Sequence, residues 1–554
     1  MATINFKCKS AVWNHHLSVP YRVLEKDNKL SFKGKNDDEN LIIEADNLLA
    51  LKSLLPKYQG KIKCIYIDPP YNTGNEGWIY SDNVNSPIIK EWLKEGPVGT
   101  DDLTRHDKWL CMMTPRLKLL RELLSDDGVI FISIDDNEVS RLKDLMEEIF
   151  GDGNIDVCVW KKIDPKFDKN TNAKIINRTK RIHEFILVGY KNKNDTIFDK
   201  IRKLPRWNKE KNNPDNDLRG GWESGILSFE EGHENEDKNS EYYYTIVAPS
   251  GRKITRQFFI SKKEFENFVL DNRIYFPKKG DGIPRLKIFE NEEKDFYFET
   301  IIEGMGSLNS AKKELLEIFG NEDVFDTPKP VKVIKEIIRA TTKKDDMILD
   351  SFAGSGTTAQ AVLELNEEDR KNGKEGNRKF ILVQLPEETK KDSPAKKAGF
   401  DFVHEITRER VKRVLEKIKK ENGEKNATGF SYLKLGSKID AEELLAGKLP
   451  DYKELAKYVF YLATGKILEN DPASHKATQG EKKYFVGKNG TESIYLIYEK
   501  DREKLKNLAV DLDFVEKIKS DKNKKIVYAP ACFLDDEVLE EKNINFVNIP
   551  YGLL

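Results

Sequence analysis

The sequence predicts an α/β protein with a central parallel sheet, one inserted unit and one C-terminal unit. In residues 1–192 and again in 326–428, short apolar runs of strand length alternate with segments that have the period of a helix. Residues 193–325 lose that alternation, and strand-like pieces, turns and charged runs follow one another there. The 554 residues also exceed one compact core and fit about three or four domains of ~100–200 residues.

The strands of the first stretch are the clearest. Ile62–Ile67 (IKCIYI) is almost continuously apolar, as expected for a parallel strand that is buried on both faces. Two prolines follow Asp68, so the chain must turn there, because proline cannot continue a central strand. The other predicted strands are Leu41–Glu44, Val129–Ile134, Val157–Trp160 and Glu184–Tyr190, the last two as a hairpin, and the predicted helices are Leu48–Leu55, Asp107–Leu124 and Glu138–Phe150.

Regular α/β order returns in 326–428, and a smaller α/β unit follows in 429–554. The former predicts helices at Pro330–Arg339 and Val403–Lys420 and strands at Met347–Asp350 and Phe380–Leu385. The latter predicts strands at Ser493–Glu499, Lys525–Ala529 and Asn545–Ile549. Its segment Asp451–Thr464 (DYKELAKYVFYLAT) has more apolar surface than an isolated helix leaves in water. Packing inside the C-terminal unit and contact with a second copy of the chain both explain that surface.

The composition is that of a well-solvated globular protein. Hydrophobic residues make up 38% and charged residues 34% of the chain, and no apolar run approaches the ~20 residues needed to cross a bilayer. The N-terminus lacks the apolar core of a signal peptide, and the five cysteines form no CxxC pair. We therefore expect a cytoplasmic protein with reduced thiols and no metal site. The net charge is −1, but 160–219 holds 17 basic and 8 acidic residues, which is typical either of a solvated surface or of a site for a polyanion.

The tetrapeptide Asp68-Pro69-Pro70-Tyr71 is the most informative motif. An exocyclic amine of a nucleobase is a poor nucleophile because its lone pair is delocalised into the ring. A carboxylate that accepts one N–H and a backbone carbonyl that accepts the other hold the nitrogen nearer to tetrahedral geometry, and Asp68 and Pro69 offer these two acceptors. Tyr71 offers a face on which a flipped base can stack. A chance turn is the weaker interpretation, since such a tetrapeptide arises at random with a probability of about 1% or less.

A glycine-rich turn is the second motif. It runs Asp350-Ser351-Phe352-Ala353-Gly354-Ser355-Gly356-Thr357-Thr358, follows a predicted strand and opens a helix. Glycines let a backbone approach a bound cofactor closely. Alone this turn is ambiguous, because Gly354, Gly356 and Ala359 also satisfy the GxGxxA pattern of dinucleotide-binding enzymes. A nicotinamide or flavin enzyme therefore competes on this motif.

Together the two motifs resemble the β-class of amino-methyltransferases, which carry DPPY before an FxGxG cofactor loop. The resemblance covers 34–425, includes the runs IDPPYNTGNEGW and FDTPKPVKVIKEII, and extends to the modification subunit of type III restriction–modification systems. It implies a Rossmann-like fold with circularly permuted motif order and transfer of a methyl group from S-adenosylmethionine to N6 of an adenine flipped out of double-stranded DNA. It also implies a target-recognition domain at 193–325, a C-terminal assembly domain, a homodimer and a separate helicase–nuclease restriction subunit.

The resemblance assigns roles to individual residues. The catalytic residues are Asp68, Pro69, Pro70 and Tyr71. The residues that bind the cofactor include Phe352, Ala353, Gly354 and Gly356 along its methionine part, with Asp350, Ser355 and Thr357 in the same turn. Lys329 and Pro330 lie over the cofactor, Asp46 faces its adenosine, and Gln384 or Glu387 contacts its ribose. Ordinary helix-end electrostatics is the competing explanation for Asp46 and Lys329.

Contacts to DNA are predicted just after the catalytic turn and within the basic stretch 160–219. Trp78 and Tyr80 follow the catalytic turn and either stack on bases or pack in the core. The candidate phosphate contacts are Arg178, Lys180, Arg181, Lys203 and Arg206. Each of these basic residues alone is more simply a solvated surface residue, so their clustering is the signal.

Two other functions compete with adenine methylation. One is a recognition platform that reads a DNA site and holds a separate helicase–nuclease subunit. The chain has no GxxxxGK[ST] phosphate loop, so DNA cleavage would require such a partner. The other is an orphan methyltransferase that acts on cytosine N4 or on RNA. The leading aspartate of DPPY, in place of serine, favours adenine within the family.

Overall fold

The chain divides into two compact units. The computed structural model describes residues 3–34, 37–73, 104–163, 179, 181–203, 213–289, 292, 294–422, 428–439, 449–465, 467–468, 484–518 and 522–549. The larger unit comprises Met1–Asp199 and Phe298–Leu554, and the smaller unit comprises Lys200–Tyr297. None of the described helices is long and apolar enough to cross a membrane.

Helices and strands are numbered along the described chain. The helices are α1 Lys9–Val12, α2 His15–Ser18, α3 Asn47–Tyr58, α4 Arg105–Leu123, α5 Val139–Phe150, α6 Lys262–Leu270, α7 Pro277–Gly280, α8 Leu308–Phe319, α9 Val331–Thr341, α10 Thr357–Lys371, α11 Pro394–Lys397, α12 Val403–Asn422, α13 Tyr452–Thr464, α14 Arg502–Leu505, α15 Leu512–Lys517 and α16 Asp536–Glu541. The strands are β1 Tyr21–Lys26, β2 Leu41–Glu44, β3 Ile62–Ile67, β4 Leu124–Ile134, β5 Ile155–Trp160, β6 Glu184–Tyr190, β7 Ile201–Lys203, β8 Trp222–Ile226, β9 Tyr243–Val247, β10 Lys253–Gln257, β11 Ile274–Tyr275, β12 Arg285–Phe289, β13 Lys294–Phe296, β14 Ile301–Ile302, β15 Met347–Asp350, β16 Lys379–Gln384, β17 Ser431–Ile439, β18 Phe485–Asn489, β19 Glu492–Leu496, β20 Lys524–Ala529 and β21 Ile544–Asn548.

A central sheet organises the larger unit. Within the described residues its strand order is β1–β17–β2–β16–β15–β3–β4–β6–β5–β14. The strands from β17 to β4 run parallel, so their carboxyl ends meet along one edge. Strand β6 is antiparallel to β4 and pairs Phe185 with Ile134, which places the first residue of β6, Glu184, at that same edge. The predicted α/β fold with a parallel sheet is confirmed.

The hydrophobic core explains why these segments become parallel strands. Strands β3 and β4 are buried along most of their length, as their continuous apolar runs require when both faces of a sheet are covered. Alternate side chains point to opposite faces. On one face, Leu41, Ile43, Ile65 and Ile67 join a cluster formed with helices α3, α4 and α5. The sheet therefore holds its carboxyl edge rigidly between layers of helices.

The inserted unit is shorter than the sequence boundaries suggested. We expected an insertion at 193–325, whereas the smaller unit spans Lys200–Tyr297. Strand β14 returns to the central sheet beside β5, and helix α8 also belongs to the larger unit. The difference arises because β14 has only two residues, too few to show a period in the sequence. The two ends of the insertion lie close together, since the Phe198 and Phe298 rings are 5.7 Å apart and both contact the Phe131 ring.

The smaller unit consists of short antiparallel strands and one longer helix. Its described residues form three small sheets. Two are the pairs β10–β9 and β13–β7, and the third has the strand order β11–β12–β8. Helix α6 begins with a capping box between Ser261 and Glu264. A small core, with Ile246, Phe258 and Phe265 at its centre, holds α6 against the strands. A core of this size suits a unit that presents loops on a modest scaffold.

The C-terminal region is joined to the central sheet by strand β17. We assigned 429–554 to a separate unit, but β17 pairs with β2 and β1 in the large sheet. The remaining strands form a sheet of order β18–β19–β20–β21. Helix α13 packs between this sheet and the α3–β1 face of the larger sheet. Its residues Leu455 and Val459 are fully buried, so the apolar surface that suggested a second copy of the chain is covered within the chain itself.

Replacing Leu455 with alanine tests whether α13 belongs to the core. We expect Leu455→Ala to lower the free energy of unfolding by about 2–5 kcal/mol, because a buried leucine leaves a cavity. The exposed neighbour Lys453 is the matched control, and Lys453→Ala should change that free energy by less than about 0.5 kcal/mol. Urea unfolding followed by circular dichroism measures both values. An unchanged unfolding curve for Leu455→Ala, with dissociation of subunits in light scattering, would instead mark α13 as an interface.

Candidate active site

The two sequence motifs end neighbouring strands of the central sheet. Strands β3 and β15 pair in parallel and align Cys64 with Ile348. Asp68 follows β3 and Asp350 ends β15, so the DPPY turn and the glycine-rich turn leave the sheet side by side although they are far apart in the sequence. Ligands of open α/β sheets bind in the crevice outside the carboxyl ends of the strands. This position therefore marks the candidate active site.

The DPPY turn is held in place from the side of helix α4 and from the start of α5. The Trp109 indole donates a hydrogen bond to the Pro70 carbonyl at 2.7 Å. Asn72 has a left-handed backbone with φ of 59° and a fully buried side chain that donates to the Glu138 carboxylate. Burial raises the pKa of Glu138 to about 7, and the Asn72 amide opposes this rise. These contacts fix the backbone on which the Asp68 and Tyr71 side chains are carried.

Lys329 joins the DPPY turn to strand β6. Its ammonium donates to both carboxylate oxygens of Asp68, at 2.9 and 2.8 Å, and lies 3.6 Å from the Glu184 carboxylate. The same ammonium lies 4.9 Å from the centre of the Tyr71 ring. Glu184 in turn accepts a hydrogen bond from the Tyr71 hydroxyl at 3.1 Å and pairs with Lys162 at 3.1 Å. The Asp68 and Glu184 carboxylates therefore share the Lys329 ammonium beside the tyrosine, and Glu184 has a second cation in Lys162.

Burial and charge act in opposite directions on these groups. Burial raises the pKa of Asp68, and the Lys329 ammonium limits that rise. Burial also opposes ionisation of Glu184, but Lys329 and Lys162 outweigh it and lower the pKa of that carboxyl. Burial alone would lower the pKa of Lys329, whereas the Asp68 and Glu184 carboxylates together raise it. Lys329 therefore stays protonated. Asp68 depends more on its charge than Glu184 does, because Glu184 also pairs with Lys162.

The glycine-rich turn needs both of its glycines. Gly354 and Gly356 have left-handed backbones, with φ of +52° and +84°. A Cβ at Gly354 would meet the Phe325 ring at 3.3 Å, and a Cβ at Gly356 would meet the Thr407 carbonyl oxygen at 3.1 Å. The Gly354 N–H donates to the Gln384 side-chain oxygen at 2.7 Å. Gln384 therefore supports the turn from the end of β16.

Asp350 closes the turn at its other end. Its carboxylate accepts the Phe352 N–H at 3.0 Å and a hydrogen bond from the Thr358 hydroxyl. Burial raises the pKa of Asp350 to about 7, against these two hydrogen bonds. The Ala353 N–H donates to the Val383 carbonyl at 3.1 Å, which ties the turn to strand β16.

Helix α12 holds the turn from the outside. The Thr407 hydroxyl donates to the Gly354 carbonyl. Arg410 is fully buried and donates to the Ser355 and Thr357 hydroxyls at 2.7 and 2.8 Å. Burial lowers the pKa of Arg410 to about 10, so the guanidinium stays charged at neutral pH. The hydroxyls of Ser355 and Thr357 thus brace the turn itself.

The other predicted cofactor residues lie along the same edge. Asp46 accepts the Leu48 and Leu49 N–H groups at 3.0 and 3.3 Å and so caps helix α3, the helix-end role weighed against a cofactor contact. Its second oxygen lies 3.4 Å from Arg116. Glu387 is exposed just beyond β16. The remaining two are Phe352, which packs at the edge of the core, and Pro330, which precedes helix α9.

The predicted DNA contacts are only partly described. Trp78, Tyr80, Arg178, Lys180 and Arg206 lie outside the described residues. Lys203 ends strand β7 of the smaller unit. Arg181 precedes β6 at the carboxyl edge of the central sheet, is 64% exposed, and pairs with Asp136 at 3.3 Å. An exposed arginine at this edge remains available to a phosphate, since an exposed ion pair holds it only weakly.

Glu184 and Arg410 are among the residues of the site that the sequence analysis does not identify. Glu184 was predicted only as the start of a strand, because its role depends on β6 being antiparallel to β4. Arg410 lies four residues from Ile406 and from Val414, on the apolar side of α12. A charged residue on an apolar face predicts a buried, paired charge, and that signal would have identified Arg410.

The sequence is similar to those of known DNA methyltransferases. The DNA methylase family model (N6_N4_Mtase) matches residues 62–397, which contain both motifs. The type III restriction–modification enzyme StyLTI Mod subunit of Salmonella typhimurium is 34% identical over 434 residues, 76% of this chain and 64% of the relative. The EcoPI Mod subunit of Escherichia phage P1 is 32% identical, over 72% of this chain and 66% of the relative. The type II methyltransferase M.KpnI of Klebsiella pneumoniae is 32% identical, over 67% of this chain and 86% of the relative.

Solved structures of methyltransferases are also similar to this chain. The cytosine-N4-specific PvuII DNA methyltransferase is 12% identical, with a TM-score of 0.31 over 67% of this chain and 93% of that one. A putative DNA modification methylase from Thermus thermophilus, complexed with S-adenosyl-L-methionine, is 13% identical, with a TM-score of 0.28 over 72% of this chain and 100% of that one.

The sequence relatives decide the family. The predicted resemblance to amino-methyltransferases and to type III modification subunits is confirmed. The chain spans just under two thirds of the length of the two type III relatives. Because the family model covers more than half of the chain and includes both turns of the site, this protein belongs to the DNA methylase family.

Proposed function

We propose that this protein is a site-specific methyltransferase that transfers a methyl group from S-adenosylmethionine to N6 of adenine in double-stranded DNA. The observation that carries the proposal is the position of the DPPY turn and the glycine-rich turn at the carboxyl ends of the neighbouring strands β3 and β15. A carboxylate that can hold an amine thereby lies beside a turn that can hold a cofactor. Family membership supports the same class of reaction.

The residues of the glycine-rich turn fit S-adenosylmethionine. The turn is fixed by Thr407, Arg410 and Gln384, and it opens helix α10, where unpaired backbone N–H groups favour polar ligand atoms. Phe352, Ala353, Gly354 and Gly356 would hold the methionine part. Glu387 is the better of the two candidates for the ribose hydroxyls, because Gln384 already accepts the Gly354 N–H. Asp46 would face the adenosine while it caps α3.

The chain's own residues prepare the amine for attack. S-adenosylmethionine supplies an electrophilic methyl group, which is bonded to a sulfonium sulfur. Asp68 accepts one N–H of the adenine amine and the Pro69 carbonyl accepts the other, which directs the nitrogen lone pair at that methyl group. Tyr71 stacks on the flipped base, and the rigid Pro69-Pro70 pair keeps these groups in register. Holding two reactants in attack geometry supplies much of the rate of such a reaction.

DNA recognition is proposed for the smaller unit and for the basic residues around strand β6. Flipping an adenine from the duplex costs roughly a few kcal/mol, and stacking and hydrogen bonds in the pocket offset that cost. Arg178, Lys180, Arg181, Lys203 and Arg206 would neutralise phosphates, and Trp78 and Tyr80 would contact bases next to the flipped one.

A protein that modifies chromosomal and plasmid DNA works in the cytoplasm, which is the location we propose.

A modification role within a restriction–modification system extends this proposal. Two relatives are named as Mod subunits of type III restriction–modification enzymes. The sequence lacks a GxxxxGK[ST] phosphate loop, so DNA cleavage would come from a separate helicase–nuclease subunit. A role as recognition platform for that subunit is compatible with methylation by this chain.

Modification-aware sequencing of DNA from expressing cells tests the reaction. Wild-type protein should produce N6-methyladenine at one short sequence, and Asp68→Ala should abolish it, because the amine loses the carboxylate that accepts one of its N–H groups. Calorimetric titration should show that Asp68→Ala binds S-adenosylmethionine within a few-fold of the wild type. Methylation of cytosine N4 by the wild type would contradict the choice of adenine, and loss of cofactor binding in Asp68→Ala would contradict the role of Asp68.

A matched pair of glycine variants tests the cofactor turn. Gly356 and Gly373 both have left-handed backbones, with φ of +84° and +71°, but only at Gly356 does an added Cβ collide, with Thr407. Gly356→Ala should therefore weaken S-adenosylmethionine binding at least about ten-fold, a loss of ~1.4 kcal/mol, while Gly373→Ala leaves it unchanged. Calorimetry with the cofactor measures both. Equal affinities would remove this turn from the proposed site, and binding of NAD by the wild type would instead favour a dinucleotide-binding enzyme.

A homodimer is proposed from the resemblance to type III modification subunits. Because α13 is buried within the chain, the dimer contact would lie on another surface. Light scattering of the full-length protein at micromolar concentration is expected to give twice the chain mass of 63.9 kDa. A single chain mass at that concentration contradicts the dimer.

A further inference from the structure

The ammonium of Lys329 is committed to the catalytic turn. It donates to both oxygens of Asp68, at 2.9 and 2.8 Å, and its side chain is only 11% exposed. The family resemblance predicts that Lys329 lies over the cofactor. In the structure its ammonium instead binds the carboxylate of Asp68, the group expected to hold the amine. Pro330 follows immediately and is the N-cap residue of helix α9, and its ring restricts the backbone conformation of Lys329.

The protonation state of Asp68 decides whether it can hold the amine. A carboxylate accepts hydrogen bonds at both oxygens, whereas a protonated carboxyl offers a donor that would face the amine N–H. Burial favours the protonated form. A nearby cation reverses that preference, and Lys329 is in direct contact with Asp68. Removing one partner of a buried pair would leave the other charge uncompensated, so Asp68 would take up a proton.

Glu184 competes with Asp68 for the same ammonium. Its carboxylate lies 3.6 Å from the Lys329 ammonium and accepts the Tyr71 hydroxyl at 3.1 Å. Lys162, at 3.1 Å, compensates part of the charge of Glu184 and so leaves more of the Lys329 charge to Asp68. Among the described residues, the titratable and charged groups that act on the Asp68 or Glu184 carboxyl are Tyr66, Tyr71, Asp135, Lys162, Lys329 and Asp350, besides these two carboxyls themselves.

We propose that Lys329 is a positioning residue for methyl transfer, which acts through Asp68 by keeping that carboxylate ionised and aimed at the amine. Glu184 competes with Asp68 for the charge of Lys329, and it also orients Tyr71. The inference rests on the proposed function. The inference predicts that substitutions at two residues that lie side by side in the structure shift the ionisation of Asp68 in opposite directions. Loss of the lysine makes Asp68 harder to ionise, and loss of the negative charge on Glu184 makes it easier.

The pH dependence of kcat/KM for DNA tests this pair. Its acid limb reports the ionisation of the essential base in the free enzyme. For Lys329→Met the limb should move to higher pH by about 1–3 units, the usual effect of one close opposite charge. Lys329→Arg keeps the cation and should restore the limb to within ~0.5 unit of the wild type. Glu184→Gln keeps an acceptor for the Tyr71 hydroxyl and should move the limb by up to about 1 unit to lower pH.

The assay uses full-length protein, labelled S-adenosylmethionine and bacterial genomic DNA that lacks adenine methylation. Lys371→Met is the control for loss of a lysine, because Lys371 is 64% exposed at the far end of helix α10. Cofactor affinity is measured by calorimetry for every variant and should stay within a few-fold of the wild type. If Lys329→Met does not fold, the limb shift of Glu184→Gln decides the proposal, because a shift to lower pH supports it and a shift to higher pH overturns it.

Three results would overturn the inference. They are an even loss of activity at all pH values in Lys329→Met, a weakened cofactor affinity with an unmoved limb, and a limb that moves to higher pH in Glu184→Gln. Failure of the proposed function is a different result, because the wild type would then transfer no methyl group to DNA at any pH. The inference about Lys329 is supported if the limb shifts have opposite signs in Lys329→Met and Glu184→Gln and if both variants keep their cofactor affinity.

Discussion

The parallel pairing of β3 with β15 is the contact on which the site depends. It joins two segments that are remote in sequence and fixes the distance between the DPPY turn and the glycine-rich turn. Register in such a pair is strongly specified, because a shift of one residue would turn every buried side chain to the opposite face. The apolar side chains of Ile65 and Leu349 therefore do more than fill a core. They set the alignment of the two turns that form the candidate site.

Charge at the carboxyl edge is balanced over a short distance. Asp68 and Glu184 face the ammonium of Lys329, and Arg410 with Glu314 forms a second buried pair behind the glycine-rich turn. Buried pairs add little to stability, since the cost of removing charges from water is large. Their placement at the two turns is better explained by function. Under the proposed function, the Lys329 pair would hold the Asp68 carboxylate and the Arg410 pair would hold the glycine-rich turn.

Much of this fold is readable in the sequence. The strands Ile62–Ile67, Glu184–Tyr190 and Met347–Asp350 have the predicted bounds, because each is a short and mostly apolar run in the sequence. The site residues are less readable, because a side chain such as Glu184 acquires its role only when β6 lies antiparallel to β4. Asp46 shows the reverse difficulty. The resemblance assigns this position to the cofactor, but its carboxylate also caps helix α3, and a sequence motif alone does not distinguish the two roles.

The closeness of Phe198 and Phe298 has an evolutionary consequence. The chain leaves the larger unit beside one ring and returns beside the other, 5.7 Å away, and both rings rest on Phe131. A segment whose ends meet at one fixed point can be replaced by another of different length and sequence without moving the strands around it. If the smaller unit reads the DNA target, as proposed, then recombination confined to this stretch would give new specificities on an unchanged catalytic scaffold. Diversity of target and constancy of chemistry would then be inherited through separate parts of one gene.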